Sequence, residues 1–170
     1  MIVGLDLSLT STGVATADRT WRIKPKAVRQ DAPLPDRFVR HRVIRSTILD
    51  LLAEVRPELV VVEGPSHGSQ HGHEHERGGL WWAVLDLVDQ ADISILVATP
   101  NMIKKYATGK GNADKDIVLS AANRRFPWFE GGNDEADALW ACAMGYEVRG
   151  QPLVGLPRAH TDALKSWLAA

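Results

Sequence analysis

The segment Leu59 to Glu63, LVVVE, constrains the fold more than any other in the chain. Pro57 precedes it, Gly64-Pro65 follow it, and its apolar residues run on without polar alternation. A short β-branched run of this kind reads as a strand covered on both faces, central in its sheet and parallel to a neighbour. A carboxylate ends it.

The segments around this strand extend the pattern. Residues 2–8 (IVGLDLS) read as a buried strand, and Gly13 to Ala17 and Trp21 to Lys26 as two more, giving an opening β-meander. Asp36 reads as a helix N-cap after two prolines. Phe38, Val39, Val43, Ile44, Ile48, Leu52 and Val55 then recur at helical spacing up to Arg56-Pro57. Residues 64–79 (GPSHGSQHGHEHERGG) show no apolar periodicity and read as a loop. Helices are expected over Leu80 to Val88, Pro100 to Tyr106, 114–125 and Asn133 to Val148, with a strand over Ile93 to Ala98. The expected fold is α/β: a mixed five-stranded sheet flanked by helices. Residues 1–148 form one domain on this reading, and 149–170 a linker with a short helix near Thr161 to Leu168.

The chain has 170 residues, 45% hydrophobic and 24% charged, which suits one globular domain with a full core. No apolar run approaches the length of a membrane span, and Met1 leads directly into a strand rather than a signal peptide, so a cytoplasmic protein is expected. Cys142 is the only cysteine and lies in an apolar helical pattern, where a small core residue is the plain reading.

Four acids stand where solvated charge is not expected. Asp6 interrupts an apolar strand, Glu63 ends one, and Asp134 and Asp137 share a face at the start of the last long helix. Carboxylates placed together in a core repel one another and lose hydration unless a cation compensates them. An oxygen-only set suits Mg²⁺, with Mn²⁺ as a substitute. Two such ions roughly 3.5–4 Å apart would activate a water and stabilise the leaving oxygen in phosphodiester hydrolysis. Singly, each acid has an ordinary explanation: Asp134 as a favourable charge at a helix N-terminus, Glu63 as a strand-end residue facing water.

A net charge of -1 is modest for a protein acting on a polyanion. Setting the four acids aside leaves 17 of the 21 acidic residues against 20 basic ones. The basic residues cluster at Arg37, Arg40, Arg42 and Arg45, at Lys104, Lys105, Lys110 and Lys115, and at Arg124 and Arg125. A solvated helix face accounts equally well for any one cluster.

MIVGLDLSLTSTGVA, VVVEGP and NDEADALWACA, in this order and at these intervals, resemble the RuvC-type Holliday junction resolvases over residues 1–148. The resemblance implies a ribonuclease H-like fold and a homodimer that nicks opposed strands of a four-way DNA junction. It implies two metal ions at Asp6, Glu63, Asp134 and Asp137, with Asp6 between them. IKKYATGKGNADK resembles the family's basic stretch, which makes Lys104 and Lys115 candidates for DNA phosphate contact and Lys105 a close competitor. The helices at 36–55 and 80–91 are the candidate dimer elements.

One departure stands out. The family commonly places a wedging aromatic just after the strand-end glutamate, and here the residues are Gly64-Pro65-Ser66-His67. His67, His71, His73 and His75, or Trp81 and Trp82, could stack on bases instead. A polar loop and ordinary core or dimer contacts are the preferred readings, and a zinc site at His71, His73 and His75 lacks cysteine partners. An actin-like kinase needs two such halves, which 170 residues do not supply. A ribonuclease H-like enzyme acting on structured RNA and a non-catalytic DNA-binding scaffold remain as alternatives.

Overall fold

The computed structural model describes residues 1–29, 31–65 and 74–168. His67, His71 and His73 fall outside the described residues. The strands are β1 (Ile2–Asp6), β2 (Thr12–Ala15), β3 (Thr20–Ile23), β4 (Leu59–Glu63) and β5 (Ser94–Ala98). They form one sheet in the order β3-β2-β1-β4-β5. The three meander strands pair antiparallel, and β1, β4 and β5 run parallel, so the sheet is mixed as the segment order predicts.

The helices are α1 (Leu34–Val55), α2 (Glu74–Gln90), α3 (Pro100–Thr108), α4 (Lys115–Arg125) and α5 (Asn133–Val148). Two short helices, α6 (Arg158–Thr161) and α7 (Lys165–Leu168), follow with a 3₁₀ turn between them. None of the described helices is long and apolar enough to cross a membrane.

Strand pleating divides the core. Ile2, Leu59 and Val61 join the side chains of α3, α4 and α5 on one face, while Val3, Leu5, Val60 and Val62 pack with α1 and α2 on the other. Cys142 is buried in the first cluster and free, as a core residue. The last segment returns to that face: Leu164 is fully buried there, His160 Nδ1 lies 2.9 Å from the Tyr106 carbonyl, and Arg125 donates to the Gly155 carbonyl.

Two helix starts differ from the sequence reading. α1 begins at Leu34, so Asp36 lies in its first turn rather than at its cap, and Pro35 fits because first-turn N–H groups have no helical acceptor. α2 begins at Glu74, inside the segment read as a loop. The cause is tertiary: the Glu76 carboxylate is buried against α1, bonded to Arg37 at 3.0 Å and to Arg40, with His41 at 3.3 Å. Periodicity carries no trace of such an anchor.

Candidate metal centre

Strand parity sets the direction of the first two acids. Asp6 continues the parity of Ile2 and Gly4, and Glu63 that of Leu59 and Val61, so both face the layer occupied by α5. The β1–β4 register, running up to Leu5 opposite Val62, brings the two carboxylate-bearing ends side by side. A tight turn closes β1, in which the Ser8 N–H donates to Thr12 Oγ1 at 3.1 Å and the Thr12 hydroxyl donates back to the Ser8 carbonyl at 2.9 Å.

The approach of α5 depends on two glycines in the strands. A β-carbon on Gly4 would lie 2.0 Å from the Ala138 carbonyl oxygen, and one on Gly13 would lie 2.0 Å from that of Asp134. Both positions admit only a hydrogen, so the helix backbone rests on the sheet. Glycine inside a strand is the available signal for such close approach, and Gly13 pairs with Asp6 itself. The helix start is also pinned from the side. Arg22 of β3 reaches the buried Glu135 at 2.6 Å, and Glu135 accepts the Gly132 N–H at 3.0 Å. Gly132 offers no capping side chain, so Glu135 serves one of the exposed donors of the first turn. Sequence reasoning missed Arg22, Glu135 and both glycines as supports of the site.

The outcome is a set of three carboxylates. Asp6, Glu63 and Asp137 each offer an oxygen, and those oxygens all lie within 4.8 Å of one another. Asp134 is outside this set, yet its charge raises the proton affinity of both Asp6 and Asp137. Burial is the largest cause of a raised pKa at all three clustered acids. After burial, the charge of Asp137 raises Asp6, that of Asp6 raises Glu63, and Asp137 itself is raised to about 6. Three acids that resist ionising together are held close by the backbone, an arrangement a divalent cation relieves. The all-oxygen set fits a hard ion of the Mg²⁺ or Mn²⁺ kind.

The lysines divide. Lys115, the first residue of α4, lowers the proton affinity of Asp6, Glu63 and Asp137, and Lys104 of α3 does so for Asp137. Lys105 follows Lys104 on the helix, about 100° further round, and is not among the charges acting on these acids. Trp81 of α2 donates its indole N–H to the main-chain carbonyl of Glu63 at 3.0 Å. Trp82 stands edge-on to it at 5.0 Å between ring centroids and is 68% exposed.

No family model matches the chain. Among curated proteins, a crossover junction endodeoxyribonuclease RuvC from Rickettsia massiliae is 27% identical over 144 residues, covering 82% of this chain and 92% of its own. The RuvC of Zymomonas mobilis is 28% identical over 144 residues, covering 82% and 86%. Among solved structures, Thermus thermophilus RuvC superposes with a TM-score of 0.68 at 22% identity, covering 88% of this chain and 96% of that one. The same protein in complex with a Holliday junction substrate matches equally. The sheet order and the flanking helices give this chain the fold of the RuvC structures, and its sequence is similar to the curated RuvC proteins across four-fifths of its length.

Proposed function

We propose that this protein is a metal-dependent endonuclease that resolves four-way DNA junctions by hydrolysing phosphodiester bonds. The observation that carries the reading is the convergence of the Asp6, Glu63 and Asp137 oxygens within 4.8 Å at the open end of the sheet. The names of the relatives, crossover junction endodeoxyribonuclease and RuvC in complex with a Holliday junction substrate, supply the substrate class.

In this reading Asp6, on the central strand, Glu63 and Asp137 would hold the ions between them, and Asp134 would support the set from one helical turn away. Two bound Mg²⁺ ions, with Mn²⁺ as a substitute, would supply the positive charge that activates a water and stabilises the leaving oxygen. Burial of the three acids keeps them short of hydration, so they favour a cation over bulk water. Lys115 and Lys104, whose charges act on these acids, would hold phosphate oxygens beside the reacting bond; Lys105 would be a neighbouring phosphate contact. The Arg22–Glu135 pair and the Gly4 and Gly13 contacts keep α5 in place, so Asp137 needs little rearrangement to serve.

Paired cutting calls for two copies. We assign a homodimer, with the exposed apolar residues of α1 (Leu34, Phe38, Val39) and of α2 (Trp82) as its contact elements. The site of action is the cytoplasm, with residues 1–148 as the nuclease unit and 149–170 as a C-terminal appendage.

The test is Mg²⁺-dependent cleavage of a four-way DNA junction, a flap, linear duplex DNA and structured RNA. Symmetric paired nicks confined to the junction, sealable by a ligase, are the expected result. Cleavage favouring RNA, or no cleavage of any substrate, would overturn the reading.

A further inference from the structure

The last segment of the chain supplies none of the clustered acids, yet it is built into the layer of helices on their side of the sheet. Leu164 is fully buried, and Leu153, Val154, Leu156 and Trp167 pack against the core shared by α3, α4 and α5. Two polar contacts fix its course. The Arg125 guanidinium, at the end of α4, donates to the Gly155 carbonyl at 3.0 Å, and the ring of His160, in α6, meets the end of α3. Apolar burial explains why the segment stays attached. It does not explain the histidine.

His160 touches α3 at two adjoining points. Its Nδ1 lies 2.9 Å from the Tyr106 carbonyl oxygen, so that nitrogen carries the proton and donates it. The same ring covers Gly109, which ends α3 in the left-handed conformation at φ +82°: a β-carbon there would sit 3.2 Å from Nε2 and 3.4 Å from Cδ2. Glycine is required at this position both by the backbone angle and by the ring above it. The turn from Gly109 to Asp114 starts here, and Lys115 follows as the first residue of α4. Lys110, Asn112 and Asp114 are exposed, and the hydrogen bonds of the turn among the described residues are local: the Lys110 N–H donates to Thr108 Oγ1 at 3.2 Å, and the Ala113 N–H to the Lys110 carbonyl at 3.4 Å. Buried Ala113 holds the far end of the turn, and the His160 ring holds its start. What the turn delivers is Lys115, whose charge acts on Asp6, Glu63 and Asp137 together.

We propose, resting on the nuclease reading above, that His160 is a positioning residue for phosphodiester cleavage: by gripping the Tyr106 carbonyl and Gly109 it fixes the turn that places Lys115 beside the metal-binding acids. It touches neither DNA nor the acids and acts through the turn alone. The C-terminal appendage thereby serves the nuclease unit from outside, as a strap across the α3–α4 pair that carries both Lys104 and Lys115. Its hold on Arg125 steadies the far end of α4, and its hold on Gly109 steadies the approach to the near end. A cationic group set by such a strap needs less rearrangement to meet a phosphate oxygen than one at the end of a loose turn.

The experiment compares the wild type, His160→Ala and His160→Asn, whose side-chain amide replaces the Nδ1 donor. Single-turnover cleavage of a four-way junction in Mg²⁺ is measured with enzyme in excess, below the melting transition of each protein, alongside junction binding in EDTA and amide hydrogen exchange. His160→Ala is expected to cleave about tenfold more slowly, within the range for a group displaced from its reacting partner. Its junction affinity should be unchanged, exchange over residues 109–114 should be faster, and His160→Asn should recover most of the rate. A folded His160→Ala that cleaves at the wild-type rate makes the histidine a stability contact and overturns this inference alone. Exchange that is no faster over 109–114 than in the wild type overturns it as well. A wild type that cleaves no substrate brings down the nuclease reading first, and this inference with it.

Discussion

Gly13 lies directly beneath the first turn of α5: a β-carbon there would sit 2.0 Å from the carbonyl oxygen of Asp134. Because Gly13 is also the cross-strand partner of Asp6, the contact sets the distance between the first-strand acid and the helix carrying Asp134 and Asp137. Gly13→Ala is therefore expected to push α5 off the sheet, costing about 3 kcal/mol of stability as an overpacking change against backbone. Mg²⁺ affinity should fall with it. Thermal unfolding with and without Mg²⁺ reads both, and a variant with wild-type stability and affinity would mean that the Gly13 contact does not position α5.

Arg22 and Glu135 support the same helix laterally. Glu135 is nearly buried and Arg22 partly exposed, so the pair is a mixture of core and surface electrostatics. Arg22→Ala leaves a buried carboxylate with only the Gly132 N–H, at an expected cost of about 1–3 kcal/mol. Glu135→Gln keeps an acceptor for that N–H and should cost less. Denaturant melts of the two variants check the order.

Trp81 ties α2 to the end of β4 by one hydrogen bond to the Glu63 carbonyl. Trp81→Phe keeps most of the packing and removes the donor, so a loss of about 1 kcal/mol is expected. A weaker apparent affinity for Mg²⁺ should accompany it, because the strand end is freer to move Glu63. Titration of Mg²⁺ against thermal stability measures the second effect.

The clustered acids make stability depend on pH in a definite direction. Their folded pKa values lie above the ordinary carboxylate value, so the folded protein binds more protons than the unfolded chain. Stability from this source is complete below about pH 4 and is lost as pH rises through 6, where Asp137 titrates, and beyond for Asp6 and Glu63. His41 acts oppositely, its lowered pKa costing stability as pH falls below the ordinary histidine value. Comparing the wild type with Asp6→Asn isolates the acids. Without metal, the variant is expected to melt higher at pH 8 and nearly equally at pH 4.5, each kcal/mol relieved being worth about 2–4 °C. Equal melting temperatures at both pH values would mean the acids are not strained.

Much of this architecture is legible in the chain because its signals are local. LVVVE and IVGLD announce buried strands, and the apolar spacing from Asn133 to Val148 matches α5 from end to end. The convergence of Asp6, Glu63 and Asp137 needed strand parity together with register, and only the first is readable without coordinates. The start of α2 was hidden because its anchor, Glu76, finds its partners 36 and 39 residues away. Arg22 and Glu135 were hidden likewise, since an ion pair between β3 and α5 leaves no spacing to detect. The lysines show the limit of motif transfer: Lys104 and Lys105 are equivalent as letters, but one helical step separates a charge acting on Asp137 from one that does not.

These carboxylates are proposed to hold the ions that cut DNA. The most direct measurement is single-turnover cleavage of a four-way junction in Mg²⁺ by the wild type and by Asp6→Asn, at enzyme concentrations where both bind the junction. Paired nicks from the wild type, none in EDTA, and no measurable cleavage from the variant at any Mg²⁺ concentration are expected. Cleavage by Asp6→Asn at the wild-type rate would contradict it.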